Sequence, residues 1–339
     1  PPLGAAAVNL PTPPAPTSCR ALRKGSRLRH FLRRLRNLRR PDLWMARRIG
    51  RSLSDRHYLA WGHLFYFGHW PDYDRPRSLN EHIQAYMLRC RSPLLHLAAD
   101  KLATRQHVAA TLGEQYLVPL IGQWDRAEDV PLETLPRPCV VKTSVGSGQV
   151  WFLRPGEFVD LPMLRLSLDR WLHTDYGDMS REWCYHGLTN RVMAEEMLGD
   201  GRELPADYKL YVIGGQVRFI QVDRGRFGPH TRNLYDTQWR LLEERLTLPN
   251  HAPDPRPARL EEMLDITHRL AEPFEFLRVD CYVLGDRLYI GELTNYPGAG
   301  FERFIPQSFA VELGAHWPLP AASAGSVGTK GDRLRAQAG

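Results

Sequence analysis

Leu277-Arg-Val-Asp280-Cys-Tyr-Val-Leu-Gly-Asp-Arg-Leu-Tyr-Ile-Gly-Glu292-Leu-Thr294 holds two apolar runs, a Gly-Asp turn and two isolated carboxylates. Two apolar, β-branched runs, Leu277 to Leu284 and Arg287 to Leu293, flank Gly285-Asp286, the signature of an antiparallel hairpin. Each run is interrupted by one carboxylate. Across a tightly turned antiparallel pair, Asp280 and Glu292 lie near each other. Burying two carboxylates is unfavourable unless they are paired or metal-bound. Mg²⁺ is held by one or two carboxylates plus substrate phosphates, which fits. The competing reading is that Asp280 pairs with Arg278 or a nearby lysine; it has less force for Glu292.

Outward from this hairpin the same grammar repeats. Tyr208 to Ile213 and Gln216 to Asp223 form a second hairpin about Gly214-Gly215. Between the two, Arg259 to Ala271 is helical, with Leu260, Met263, Leu264, Thr267 and Leu270 on one face. Arg191 to Leu198, Leu117 to Trp124, Pro138 to Lys142 and Val150 to Leu153 read as strands, and Leu161 to His173 as a helix. Ser78-Leu-Asn-Glu81 is a capping box opening a helix through Cys90, and a further helix runs from about Asp100 to Leu112, stopping at Gly113. Antiparallel hairpins mixed with helices imply α+β, not a doubly wound parallel sheet.

The chain has 339 residues, 43% hydrophobic and 24% charged, which allows a sizeable core. Its net charge of +7 is unevenly spread. Residues 20–51 hold 13 Lys/Arg against one acid, Asp42, so the remaining residues are net acidic. Within that segment Leu28, Phe31, Leu32 and Leu35 share a helical face among arginines. It reads as a basic amphipathic helix that contacts an anionic membrane or polymer, or docks its apolar face on the body. Residues 1–19 are rich in Pro and Ala and read as disordered. No apolar run reaches bilayer length and no secretory pattern is evident, which implies a cytoplasmic protein, peripheral on the inner membrane face if the basic helix binds lipid. Cys19, Cys90, Cys139, Cys184 and Cys281 form no CxxC pair, which argues against a disulfide framework or a structural zinc site.

Three further pieces carry candidate chemistry. Val140-Val-Lys-Thr-Ser-Val-Gly-Ser-Gly148 places a lysine before a small-residue loop between two strands. Such a loop lets backbone N–H groups approach phosphate oxygens, although it reads equally as a plain hairpin loop; it is not a Walker A motif. Ala194-Glu-Glu-Met-Leu198 is an acidic pair ending an apolar strand, either a nucleotide edge or a strand running into solvent. Lys101 follows Asp100, an N-cap, and a lysine at a helix N-terminus opposes the dipole preference, so an anion there is plausible.

Taken in order, these pieces resemble the ATP-grasp fold, and specifically its teichuronopeptide-biosynthesis (TupA-like) branch. The resemblance runs from about Ser78 to Glu312 and adds Asp207-Tyr-Lys209, Phe219-Ile-Gln-Val-Asp223, Arg232-Asn-Leu-Tyr-Asp236, Arg278-Val-Asp280 and Gly291-Glu-Leu-Thr-Asn-Tyr-Pro297 to the pieces above. It implies two α+β subdomains gripping ATP between antiparallel sheets. It further implies that Lys101 and Lys142 hold the ATP phosphates under a loop comprising Ser144, Gly146, Ser147 and Gly148. Glu195, Glu196, Met197 and Leu198 would read adenine and ribose. Lys209 and Arg278 would serve catalysis, and Asp280 and Glu292 would bind Mg²⁺. Thr294 stands where the family commonly has Asn, with Asn295 next, so the third metal ligand is an open question. The implied divisions are an extension over 1–76, an N-terminal lobe over 77–137, the nucleotide- and metal-binding domain over 138–312 and a flexible tail over 313–339.

The activity implied is ATP-dependent carboxylate–amine ligation through an acyl phosphate. By resemblance, the substrates are a uronic-acid glycan of the cell envelope or capsule and an amino acid or amine. The basic residues Arg224, Arg226, His230 and Arg232 read either as the anionic-substrate contact or as a solvated loop. A kinase acting on a sugar hydroxyl would use the same site. A non-catalytic binder of anionic glycan or nucleic acid would rely on residues 20–51, but it has no use for a metal–phosphate site; no specific nucleic acid is expected.

Overall fold

The computed structural model describes residues 53–199, 205–225 and 230–317. The chain divides into two compact units, Pro1–Tyr58 and Leu59–Gly339; of the first only residues 53–58 are described, and they begin helix α1. The basic helix expected near residues 20–40, Arg226 and the segment 318–339 lie outside the described residues. No described helix is long and apolar enough to cross a membrane.

The elements are, in order, α1 (Asp55–Phe67), α2 (Leu79–Arg89), α3 (Leu94–Ala99), α4 (Lys101–Leu112), β1 (Leu120–Trp124), β2 (Cys139–Thr143), β3 (Val150–Leu153), α5 (Leu161–Leu172), α6 (Tyr176–Ser180), β4 (Val192–Glu196), β5 (Asp207–Ile213), β6 (Gln216–Arg224), β7 (Thr231–Tyr235), β8 (Arg245–Leu246), α7 (Leu260–Ala271), β9 (Phe276–Leu284), β10 (Arg287–Thr294), β11 (Phe304–Ile305) and α8 (Gln307–Ala315). The capping box forms as expected: Ser78 accepts from the Glu81 N–H, and the Glu81 carboxylate accepts from the Ser78 N–H. Asn80 then ties α2 to the segment after β10 by donating to the carbonyls of Gly300 and Glu302 at 2.9 and 2.8 Å.

A small sheet has the order β1-β4-β2-β3 and a large one β10-β9-β5-β6-β7, with every neighbouring pair antiparallel. Side chains alternate across a strand, and both sheets use this to separate core from chemistry. On the large sheet Leu210, Val212, Ile220, Val222, Val279 and Cys281 form one core with Leu260, Met263, Ile266 and Leu270 of α7. The opposite parity places Lys209 against Asp280 and Gln221, and Asp207 against Asp223. The carboxylates interrupt apolar strands because they occupy the other face. On the small sheet Cys139, Val141, Leu153, Val192 and Ala194 pack on Leu164 and Leu168 of α5, while Lys142, paired with Met193, belongs to the opposite parity.

One irregularity decides the site. The β9–β10 register shifts between Ile290 and Glu292, so Ile290 pairs with Cys281 but Glu292 pairs with Asp280. Unbroken pairing would set Glu292 opposite Val279, whose side chain lies in the core. The bulge residue is Gly291, and a Cβ there would meet the Tyr282 ring at 2.5 Å.

The boundary expected at 137/138 is not where the two cores divide. Ala98, Val108 and Leu112 join the large-sheet core, whereas Ala127, Val130, Leu132 and Leu135 join the small-sheet core. The tail expected from 313 is also corrected over its first residues. Helix α8 runs to Ala315, and Leu313, Gly314 and Trp317 are buried, Trp317 stacked on Phe276 at 4.7 Å. Strand β7 and helices α1, α3 and α6 were not legible in the sequence.

Candidate functional site

The glycine loop is built as an extension of β2 and held from several sides. Ser144 donates its N–H to the Arg191 carbonyl at 2.8 Å, and its Oγ accepts from the Arg191 N–H at 3.2 Å. Fully buried, Ser144 anchors the base of the loop. Val145 donates to Asn190 Oδ1 at 3.0 Å. Gly146 has φ +95, and a Cβ there would meet Tyr176 at 2.7 Å, so a residue without a side chain is required. Ser147 and Gly148 stand exposed at the tip.

Lys101 joins this loop to the start of α4. Its N–H donates to the Ser144 carbonyl at 2.9 Å and its ammonium to the Gly146 carbonyl at 2.6 Å. Its pKa falls to about 8. Burial is the main cause; the Glu292 carboxylate opposes it, the Lys142 ammonium reinforces it, and Asp100 and Glu195 oppose it. Lys101 therefore senses charges from both sheets: Lys142 and Glu195 on the small one, Glu292 on the large one.

Lys142 pairs with Glu195 at 2.5 Å, and Arg105 of α4 pairs with the other Glu195 oxygen at 2.9 Å. Glu195 thus holds both cations, and Glu196, next along, is the exposed carboxylate. The Glu196 N–H bonds the Pro119 carbonyl at 3.0 Å. Met197 is buried and Leu198 half-buried. The Arg105 contact joins elements 90 residues apart, and no local pattern announces it.

On the large sheet, Lys209 bridges Asp207 at 2.6 Å and Asp280 at 2.5 Å. Arg278 forks onto Asp280 at 2.6 and 2.8 Å, bonds Thr294 Oγ1 at 3.0 Å, and lies 3.9 Å from Glu292. Burial would raise the Asp280 pKa, but Arg278 and Lys209 hold it below the ordinary carboxylate value. The ion-paired reading of Asp280 therefore describes this state, while Glu292, a third exposed, is the more open carboxylate. The Thr294 hydroxyl accepts from Arg278. Asn295 does not replace it: buried, it donates to the Leu95 carbonyl at 2.8 Å.

Glu182 was not found from the sequence. It has no motif around it, yet its pKa rises to about 8, first from burial and then from the Glu292 charge. Tyr176, whose ring packs on Gly146, is pushed up to about 12, mainly by burial.

Of the basic cluster, the described residues Arg224, His230 and Arg232 each face a carboxylate. Arg232 is buried, forks onto Asp223 at 2.7 and 3.1 Å, and bonds Glu302 at 2.7 Å. Arg224 pairs with Asp254. His230 lies 3.5 Å from Asp223. Arg232 is thus an ion-pair partner of Asp223 and Glu302 in the free protein.

Comparison with known proteins bears on this arrangement. No curated protein matches the chain in sequence. Among solved structures it is similar to a D-alanine–D-alanine ligase from Bacillus anthracis complexed with ATP, with 15% identity, 59% of this chain and 55% of that one covered, and a TM-score of 0.37. It is also similar to the ATP-grasp ligase PsnB complexed with a phosphomimetic variant of its minimal precursor, Mg and ADP (15%, 66% and 60% covered, TM-score 0.38). For an L-amino acid ligase from Bacillus licheniformis the figures are 13%, 73% and 56%, with a TM-score of 0.41. The chain thus spans between half and two thirds of the length of these proteins. The family description TupA-like ATPgrasp matches residues 81–317, which include both sheets, the glycine loop and every acidic residue of the β9–β10 pair. With its α+β architecture of two antiparallel sheets, the chain belongs to the TupA-like ATP-grasp family.

Proposed function

We propose that the protein is an ATP-dependent carboxylate–amine ligase that activates a carboxylate as an acyl phosphate and passes the acyl group to an amine. The acid is read as a uronic-acid-containing glycan of the envelope or capsule, and the amine as an amino acid. The observation that carries this reading is Lys101: one ammonium bonded to the glycine loop and electrostatically coupled to Lys142 on one sheet and Glu292 on the other.

The residues fit a magnesium-bound triphosphate. Asp280 and Glu292 are cross-strand neighbours able to hold Mg²⁺, with Glu292 open and Asp280 kept ionised. When bound, Mg²⁺ neutralises phosphate charge and orients the transferred group. Lys101 and Lys142 hold phosphate oxygens, and the exposed Ser147 and Gly148 offer backbone N–H groups to them. Glu196, Met197 and Leu198 form the edge for the base and ribose. Arg278 and Lys209 change partners: cations that neutralise Asp280 in the free protein turn to charge that develops on the transferring phosphoryl group. A carboxylate oxygen would attack the γ-phosphorus as the bond to ADP breaks; the amine would then attack the acyl carbon, the C–N bond forming as the acyl C–O bond breaks, and phosphate would leave with the proton the amine gives up.

Products of incubation with ATP, Mg²⁺ and a panel of uronic acids and amino acids, read by mass spectrometry, test this. The expected result is ADP, phosphate and an amide only when acid and amine are both present, with a hydroxamate formed when hydroxylamine replaces the amine. A stable phosphorylated sugar would instead identify a kinase and refute the ligase reading.

A further inference from the structure

The end of α1 and the start of α2 bring His63, His69 and Glu81 together, one ligand atom of each lying within 4.8 Å of the others. His63 is fully buried, with Nδ1 2.8 Å from Gln84 Oε1. The Gln84 amide is oriented by its own donation to the Gly300 carbonyl at 3.3 Å and by the Tyr73 hydroxyl, which donates to Oε1 at 3.1 Å. Nδ1 of neutral His63 therefore carries the proton, and Nε2 holds a bare lone pair. That Nε2 is buried and has no hydrogen-bond partner. His69 repeats the pattern: its Nδ1 lies 3.2 Å from the Trp70 carbonyl, leaving Nε2 as the acceptor. Metal-ligating imidazoles usually donate their second N–H to just such an oxygen. Glu81 receives the Arg77 and Ser78 N–H groups on Oε2, and the Asp72 N–H on Oε1 at 3.2 Å, where acceptor capacity remains.

We propose that His63, His69 and Glu81 bind a divalent transition-metal ion of the zinc type, which fastens the end of α1 to the first turn of α2. Two imidazoles and a carboxylate, with water in the fourth position, are a recognised zinc donor set. Ligands ~2.1 Å from a tetrahedral ion stand ~3.4 Å from one another, so the cluster closes by little more than ~1 Å. His69 supplies that movement: it is exposed and follows Gly68, whose φ is +82. The competing occupant of the His63 lone pair is a proton shared with Glu81.

The test uses the full chain, stripped with a chelator and titrated with Zn²⁺ in the absence of nucleotide. Bound zinc is counted after desalting, and Co²⁺ replaces it for visible spectra. The variants are His69→Ala, which removes an exposed ligand, and His186→Ala, which disrupts the trio Asp175, Asp178 and His186 as a control. The expected result is one ion per chain in the unmodified protein and in His186→Ala, four-coordinate cobalt bands, and at least tenfold weaker binding in His69→Ala. Zinc should raise the melting temperature of the unmodified chain and not of His69→Ala. No stoichiometric zinc, or equal retention and equal thermal response in His69→Ala, overturns the proposal.

Discussion

The two sheets carry their charges differently. On the small sheet Lys142 shares one carboxylate, Glu195, with Arg105, and Lys101 is held by neutral carbonyls. With Lys101 and Arg105 of α4 beside it, positive charge there exceeds the one carboxylate. On the large sheet Lys209, Arg278, Asp207 and Asp280 neutralise one another in a buried cluster, and Glu292 is the half-open exception. On the proposed function the small sheet takes the triphosphate as it stands, and the large sheet exchanges Asp280 for phosphate when its carboxylates gain a metal. A buried charge that loses its partner is strongly destabilising. Asp280 answers two cations, Lys209 and Arg278, whereas Glu195 keeps Arg105 when Lys142 is removed. Removing Asp280 should thus damage folding, and removing Lys142 chiefly binding.

The largest effect should come from Asp280→Ala, which strands Lys209 and Arg278. Chemical denaturation should show a loss of ~3–5 kcal/mol, together with loss of ATP turnover. A midpoint close to that of the unmodified protein would break the comparison.

Next is Arg232→Ala, which strands Asp223 and part of the Glu302 contact. Because Arg232 faces protein carboxylates, it should lower stability by ~3 kcal/mol while Mg·ATP affinity in the folded fraction stays within about twofold. A selective loss of substrate turnover with unchanged stability would return Arg232 to the substrate site.

The pH response sharpens the small-sheet half. The Lys101 pKa is depressed in the nucleotide-free protein, so the ammonium loses its proton as pH rises through about 8. A triphosphate binds the ammonium and not the amine. Affinity should therefore be flat below pH 8, fall by up to about tenfold per unit above it, and be coupled there to proton uptake. Calorimetry in buffers of different ionisation enthalpy measures that uptake, and Lys101→Met should abolish it.

The smallest effect belongs to neither sheet. Ser78→Ala removes the cap of α2 and should cost ~1 kcal/mol, read as a small shift in the denaturation midpoint with activity intact.

Both hairpins, the cap of α2 and the helix α4 were legible because each is fixed by local chemistry: period-two apolar runs around Gly-Gly or Gly-Asp, a Ser-x-x-Glu box, and an Asp cap with a terminal glycine. The nearness of Asp280 and Glu292 was legible too, but its cause was not. Simple pairing would have turned Glu292 into the core, and the bulge at Gly291 reverses that. Ion pairs between distant elements, such as Arg105 with Glu195 and Arg232 with Glu302, leave no periodic trace. Glu182 acquires its raised pKa only from three-dimensional burial beside Glu292.

On the proposed function, Lys101 of α4, Lys142 of the small sheet and the carboxylates of the large sheet meet on one magnesium-bound nucleotide. A non-hydrolysable Mg·ATP analogue titrated by calorimetry into the unmodified chain, Lys142→Ala and Glu292→Gln should show one saturable site that requires Mg²⁺ and is weakened at least tenfold by either substitution. Lys142→Ala should reduce affinity even without metal, and Glu292→Gln should remove the metal dependence. No nucleotide binding, or binding unchanged by both substitutions, would overturn the proposed site.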